Sequence, residues 1–180
     1  MKNRKLTGVE LGRMTPETYS SAPESGMVVV LDNIRSAHNV GSVFRSCDAF
    51  HADRLLLCGI CAVPPSAEIH KTALGAENSV PWEYFRSTSE CLEMLKGEGY
   101  TLLCLEQTEK SISLETFTPL PGQKYALILG NEVDGVQQDV VDASDYSLEI
   151  PQFGTKHSLN VSVAAGIALW QLHTGLTRKP

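Results

Sequence analysis

Nowhere does this chain of 180 residues carry an apolar run long enough to cross a bilayer. The longest, Leu159 to Leu172, is broken by Asn160, Ser162, Gly166 and Gln171 and falls short of the ~20 residues required. The start, MKNRKLTGVELGRM, is basic but has no apolar core or small-residue cleavage site, so neither a signal peptide nor a membrane anchor is expected. Cysteine is sparse. Cys47, Cys58, Cys61, Cys91 and Cys104 are an odd number scattered through apolar runs, which argues against a secreted disulfide scaffold and predicts reduced, cytoplasmic thiols. Positive charge is short as well: fifteen basic against twenty-one acidic residues leave a formal charge of -6. Any polyanion must therefore meet a local basic patch. No G-x-G-x-x-G follows the first strand-like run, so the phosphate cradle of dinucleotide binding is missing. Cys58-Gly59-Ile60-Cys61 has no second C-x-x-C beside it and reads as packing rather than as a zinc site or redox pair. The five histidines lack a ligand-like pattern, and no metal is expected.

What is present suits one compact α/β domain. With 42% hydrophobic and 20% charged residues, the chain can bury a core without disulfides or metals. Residues 1–26 read as an N-terminal extension with a helix starting at Thr15-Pro16-Glu17, and 27–180 as the main domain. Met27 to Leu31, Arg54 to Cys58, Tyr100 to Leu105, Tyr125 to Leu129 and a run ending at Ile150 are strand-like. Helical spacing recurs from Asn39 to Phe50, after a capping box at Ser87, around Val136 to Val141, and from Ser158 onward. The segment after Cys61, with Pro64 and Pro65, reads as a loop with a short helical piece before Asn78. Near-continuous apolar strands alternating with helices predict a parallel sheet. The last helix is apolar almost all round, which suits a central or interface position.

In an open parallel sheet, ligands bind beyond the carboxyl ends of the strands, and three junctions there are rich in polar residues. They read N-V-G-S-V-F-R-S from Asn39, L-G-N-E-V-D-G-V from Leu129, and S-L-N-V-S-V-A from Ser158. Taken in this order, they resemble the three motifs of the SpoU/TrmH family of RNA ribose 2′-O-methyltransferases, within the SPOUT superfamily. The resemblance runs from about Val28 to Trp170. It implies S-adenosylmethionine as methyl donor, RNA as substrate, a C-terminal trefoil knot, and a homodimer with both active sites near its interface.

By the same resemblance, Asn39, Arg45, Glu132, Ser158 and Asn160 are the catalytic set. Leu129, Gly130, Asn131, Gly135, Ile150, Gln152, Ser158 and Leu159 are the cofactor-binding set. Gln152 stands where family members often carry methionine. A ribose hydroxyl is a poor nucleophile at neutral pH, so the site must align it with the methyl donor and help remove its proton. Arginine holds its own proton too firmly to act as a free base. Arg45 is therefore expected to clamp a phosphate and place positive charge beside the developing alkoxide. Each motif residue also has an ordinary reading: Asn39 and Ser158 as helix caps, Glu132 as a turn acid, and the leucines as core.

Gly130 and Gly135 are expected to allow close approach of backbone to adenosine. His38 and His157 with Arg35, Arg54, Lys71 and Lys156 are candidates for the basic patch, joined by Lys2, Arg4, Lys5, Arg13, Arg178 and Lys179 near the termini. No separate RNA-binding domain is expected before the first strand, an expectation that favours tRNA over ribosomal RNA by family analogy. A non-catalytic RNA-binding homologue, a thiol-redox protein and a base methyltransferase are the alternatives.

Overall fold

A computed structural model describes residues 3–7 and 10–177. Lys2, Arg178 and Lys179, three of the proposed phosphate contacts, lie outside the described residues. The elements run α1 (Pro16–Ser21), β1 (Met27–Asp32), α2 (Ala37–Ala49), β2 (Arg54–Cys58), α3 (Ala67–Ala73), a 3-10 turn (Ala76–Asn78), β3 (Trp82–Phe85) and α4 (Thr88–Gly97). The second half continues with β4 (Tyr100–Leu105), β5 (Ile112–Ser113), β6 (Lys124–Leu129), α5 (Gln138–Ala143), β7 (Tyr146–Glu149) and α6 (Val161–Thr177).

All seven strands join one parallel sheet in the order β3-β2-β1-β6-β4-β7-β5. Every residue of β1 is buried, which fits its unbroken MVVVLD run, because a central parallel strand is covered on both faces. Alternate side chains feed two cores. Val29, Leu31, Leu55 and Leu57 pack with α2 and α6, while Val28, Val30, Leu56 and Cys58 pack with α4 and α5.

Helix starts are chemically marked. Thr15 and Thr18 form a reciprocal capping box on α1, whose first turn holds Pro16 and Glu17. The hydroxyl of Ser87 accepts the Glu90 amide at 3.3 Å to open α4. Tyr19 pins α1 to the end of α2 by donating its hydroxyl proton to the Ala52 and Cys47 carbonyls at 2.8 and 3.3 Å. Asp53 gathers the Ser25, Gly26 and Met27 amides at 2.6–3.1 Å, closing the sheet at the amino ends of its strands.

Four details depart from the sequence reading. Helix α2 begins at Ala37 with Ser36 as its cap, so Asn39 lies in the first turn rather than at the cap. Helix α6 begins at Val161 and not at Ser158, because the Asn160 side chain takes the Ser162 amide at 2.9 Å. Strands β3 and β5 are additions to the strands that the sequence pattern predicts. Arg54 starts β2 at the amino end of the sheet, where it pairs with Glu98, so it cannot join a patch at the carboxyl end.

Candidate functional site

The loops leaving β4, β6 and β7 converge at the carboxyl end of the sheet around a cavity of about 550 Å³. Its walls include Leu129, Gly130, Asn131 and Gly135 from the second motif, then Ile150 and Gln152, then Ser158, Leu159 and Asn160 from the third. All eight residues expected to bind the cofactor therefore border one space. Leu105, Leu129, Ile150 and Leu159 supply apolar wall, and Glu106, Glu132, Asp134 and Glu149 supply carboxylates.

Glu132 is the centre of the polar arrangement. It accepts the backbone amides of Arg35 and Ser36 at 3.0 and 3.1 Å and the Asn39 amide group at 2.9 Å. Free amides at a helix start favour negative charge. Partial burial resists ionisation of Glu132, but the hydrogen bonds from Asn39, Arg35 and Ser36 outweigh it and hold the carboxyl below its ordinary 4.5. Asn39 in turn accepts from the Asn160 side chain at 3.1 Å. Glu132, Asn39 and Asn160 thus form a continuous ladder joining the three motifs.

Asn131 precedes this carboxylate and shapes the loop. Its side-chain oxygen takes the Val133 and Asp134 amides at 2.8 and 3.2 Å, while its side-chain nitrogen donates to the Asn33 carbonyl at 2.7 Å. Those polar atoms are already committed to the protein, so what Asn131 offers the cavity is a wall. The two glycines also serve the chain itself. A Cβ at Gly130 would strike the backbone of Gly135 and Val136, and one at Gly135, where φ is +71°, would strike the Glu106 carboxylate. Both are required for the loop to fold back on itself, before any ligand is considered.

Arg45 is not brought to this cavity. It lines a groove between α2 and α3 with Ser42, Ser46, Lys71 and Thr72. Six residues along a helix turn a side chain about 120° away from Asn39, so the two point to different faces of α2. Within the chain, Arg45 therefore stands apart from the ladder of Glu132, Asn39 and Asn160. Ser158 borders the cavity but does not cap α6, a task Asn160 performs. Arg35 lies beside Asp134 at 3.6 Å and His38 contacts Glu68 at 2.8 Å. Lys71 contacts Glu68 at 2.5 Å.

One contributor, Glu106, belongs to none of the three motifs. Glu106 takes the Val136 and Gln107 amides, each at 2.9 Å, and so ties the end of β4 to the glycine loop. Its place at the end of a strand was a legible signal, since carboxyl ends border ligand sites. Cys61 accepts the Ile34 amide at 3.1 Å. Burial pushes its thiol up to about 12, which makes it a protonated packing group.

The profile of the SpoU rRNA Methylase family matches residues 26–170. Over 149 residues, 82% of this chain and 9% of the relative, the sequence is 32% identical to the tRNA (guanosine(18)-2'-O)-methyltransferase TARBP1 of Mus musculus. It is 33% identical over 150 residues, 82% of this chain and 56% of the relative, to the 23S rRNA (guanosine-2'-O-)-methyltransferase RlmB of Nitrosomonas europaea. The chain thus spans little more than half of one relative and a small part of the other. Among solved structures, the SpoU methyltransferase AviRb of Streptomyces viridochromogenes, in complex with the cofactor AdoMet, superposes with a TM-score of 0.74. It is 25% identical, and the match covers 83% of this chain and 60% of that one. A profile that runs from the first strand into the last helix, across the three loops that build the cavity, establishes that the chain belongs to the SpoU rRNA Methylase family.

Proposed function

We propose that this chain is an S-adenosylmethionine-dependent RNA methyltransferase that methylates a ribose 2′-hydroxyl, in tRNA, as a cytoplasmic homodimer. The ladder of Glu132, Asn39 and Asn160 at the edge of the cavity carries this reading, because it joins all three family motifs in one polar unit. The lining fits the donor: Leu129, Ile150 and Leu159 would hold adenine, and the carboxylates of Glu106, Glu132 and Asp134 complement a cation. When bound, S-adenosylmethionine supplies an electrophilic methyl group on a sulfonium.

The chain's own residues position and polarise. Glu132 stays ionised and fixes the first turn of α2 against the second motif. Asn160 holds Asn39 and caps α6, and Ser158 borders the cavity. Arg45, in its separate groove with Lys71, takes an RNA phosphate as a permanently charged donor. Lys156 and Arg35 extend the basic contacts along the motif loops.

Two assembly features complete the proposal. Val163, Ile167 and Trp170 recur at helical spacing on α6 and are 50%, 41% and 58% exposed, an apolar stripe suited to a second copy of the chain. The final segment is assigned the trefoil knot of the family. In support, β7 lies beyond β4, far from β1, yet α6 returns to pack on α2; an experimental chain trace reads this directly. Buried free thiols support a reducing compartment, and localisation of the tagged protein by microscopy tests it.

The test is methyl transfer from labelled S-adenosylmethionine to total RNA of cells lacking this protein. We expect 2′-O-methylguanosine in the tRNA fraction, the nucleoside named for both relatives. Label in ribosomal RNA, which the RlmB relative favours as a second reading, would overturn the tRNA assignment and keep the chemistry. Label on a base would overturn the ribose assignment. Failure to bind the donor would overturn the catalytic reading. Arg45→Ala is expected to keep donor affinity within ~3-fold and lose ~100-fold in transfer; loss of donor binding would remove Arg45 from the phosphate role.

A further inference from the structure

At the end of β1, a carboxylate with no exposed surface sits where the mechanism makes no use of it. Asp32 accepts from the Thr88 hydroxyl at 2.5 Å, the Asn33 side-chain amide at 2.9 Å and the Gln137 backbone amide at 3.0 Å. It thereby ties the starts of α4 and α5 to β1. A buried carboxylate is tolerated only with such partners.

Asn33 follows in the left-handed region, with φ of 57°. Its side chain accepts the Ile60 amide and donates to Gln137, each at 3.2 Å, as well as to Asp32. Its carbonyl receives the Asn131 side chain at 2.7 Å. Neither Asp32 nor Asn33 lines the cavity. Both are joined through Asn131 to the loop that carries Glu132, and Asn33 leads directly into the Arg35 and Ser36 amides that Glu132 accepts.

We propose that Asp32 and Asn33 are positioning residues that set the second-motif loop against the start of α2, so that Glu132 meets the Arg35 and Ser36 amides and Asn39 together. Asp32 orients Asn33, the left-handed turn aims its carbonyl at Asn131, and Asn131 delivers Glu132. Asparagine suits the position because it tolerates this backbone while its side chain bonds locally. The consequence for turnover rests on the methyl-transfer reading; the consequence for loop order does not.

The experiment is amide hydrogen exchange on the full chain, with kinetics in parallel. Asn33→Gly keeps the backbone conformation accessible and removes the side-chain bonds. Exchange at Arg35 and Ser36 is expected to speed up ~10-fold or more while β1 and β6 stay protected. In the same variant, kcat should fall ~10-fold with KM for S-adenosylmethionine within ~3-fold. Thr88→Val, which removes one donor from Asp32, should give the same pattern more weakly, and Thr88→Ser should restore it. Unchanged exchange at Arg35 and Ser36 overturns the proposal, as does a uniform loss of protection through the strands. If the wild-type protein transfers no methyl, the parent reading falls and the exchange data still decide this one.

Discussion

Glu132 owes its charge to where the chain puts it, at the open amino end of α2 with two backbone amides and an asparagine in reach. Its folded pKa lies below its ordinary 4.5. The stability it contributes is therefore present above the ordinary value and lost as pH falls through the depressed one. Glu132→Gln should flatten the acid limb of a thermal-unfolding series over that window, and should lower methyl transfer by ~10–100-fold at neutral pH. An unaltered acid limb would remove the charge from its assigned role. Gly135→Ala tests the neighbouring loop. Its positive φ and the facing Glu106 carboxylate together should cost about 2 kcal/mol, read as a melting point lower by about 4–8 °C; an unchanged melting point would mean the loop has another way to close. The motif letters pointed to Glu132, Asn39 and Asn160 but not to their mutual bonds. Nor do they show that Arg45 lines a separate groove with Lys71 and Thr72, because that groove is made by α3 packing on α2.

Most elements were legible where a segment's own pattern sufficed. The β1 run, the α2 periodicity and the α4 cap each carried a local signal that the fold respects. Strand β3 carries only a short one, the aromatics Trp82, Tyr84 and Phe85 in four residues. In WEYF only Phe85 is buried, and the segment is a strand because β2 offers it an open edge, a fact of tertiary structure. The two-residue β5 is likewise defined by its partner β7. Ser158 resembled a cap by residue type, yet Asn160, two residues on, has the geometry. Helix α6 shows a double use of apolar residues. Ala165, Ala168, Leu169 and Leu172 are buried against the core, while Val163, Ile167 and Trp170 face outward. Ile167→Glu should leave the fold intact, since that side chain is 41% exposed, and convert the proposed dimer to monomer in sedimentation equilibrium at micromolar concentration. A wild-type monomer under the same conditions would refute the interface.

At the scale of the molecule, the proposed substrate sets an acidic protein against an acidic polymer. The net charge of -6 leaves recognition to a few placed cations, so RNA affinity should fall with salt along a shallow slope, each phosphate contact adding about 0.9 or less to it. Filter binding between low and moderate salt measures this, and a slope near that of a many-contact binder would contradict it. The sheet order has a further outcome. The interior strand β1 pairs on one side with β6, from Met27 with Tyr125 to Leu31 with Leu129, about a hundred residues downstream, a separation that slows folding. A ribosome adding about 5–20 residues per second leaves that edge of β1 bare for several seconds of synthesis. During that time an uninterrupted VVVL segment is available to chaperones or to neighbouring nascent chains. Ribosome-bound chains stopped before Lys124 should be cut by protease within β1, chains extended past the sixth strand should resist, and expression at lower temperature should raise the soluble yield.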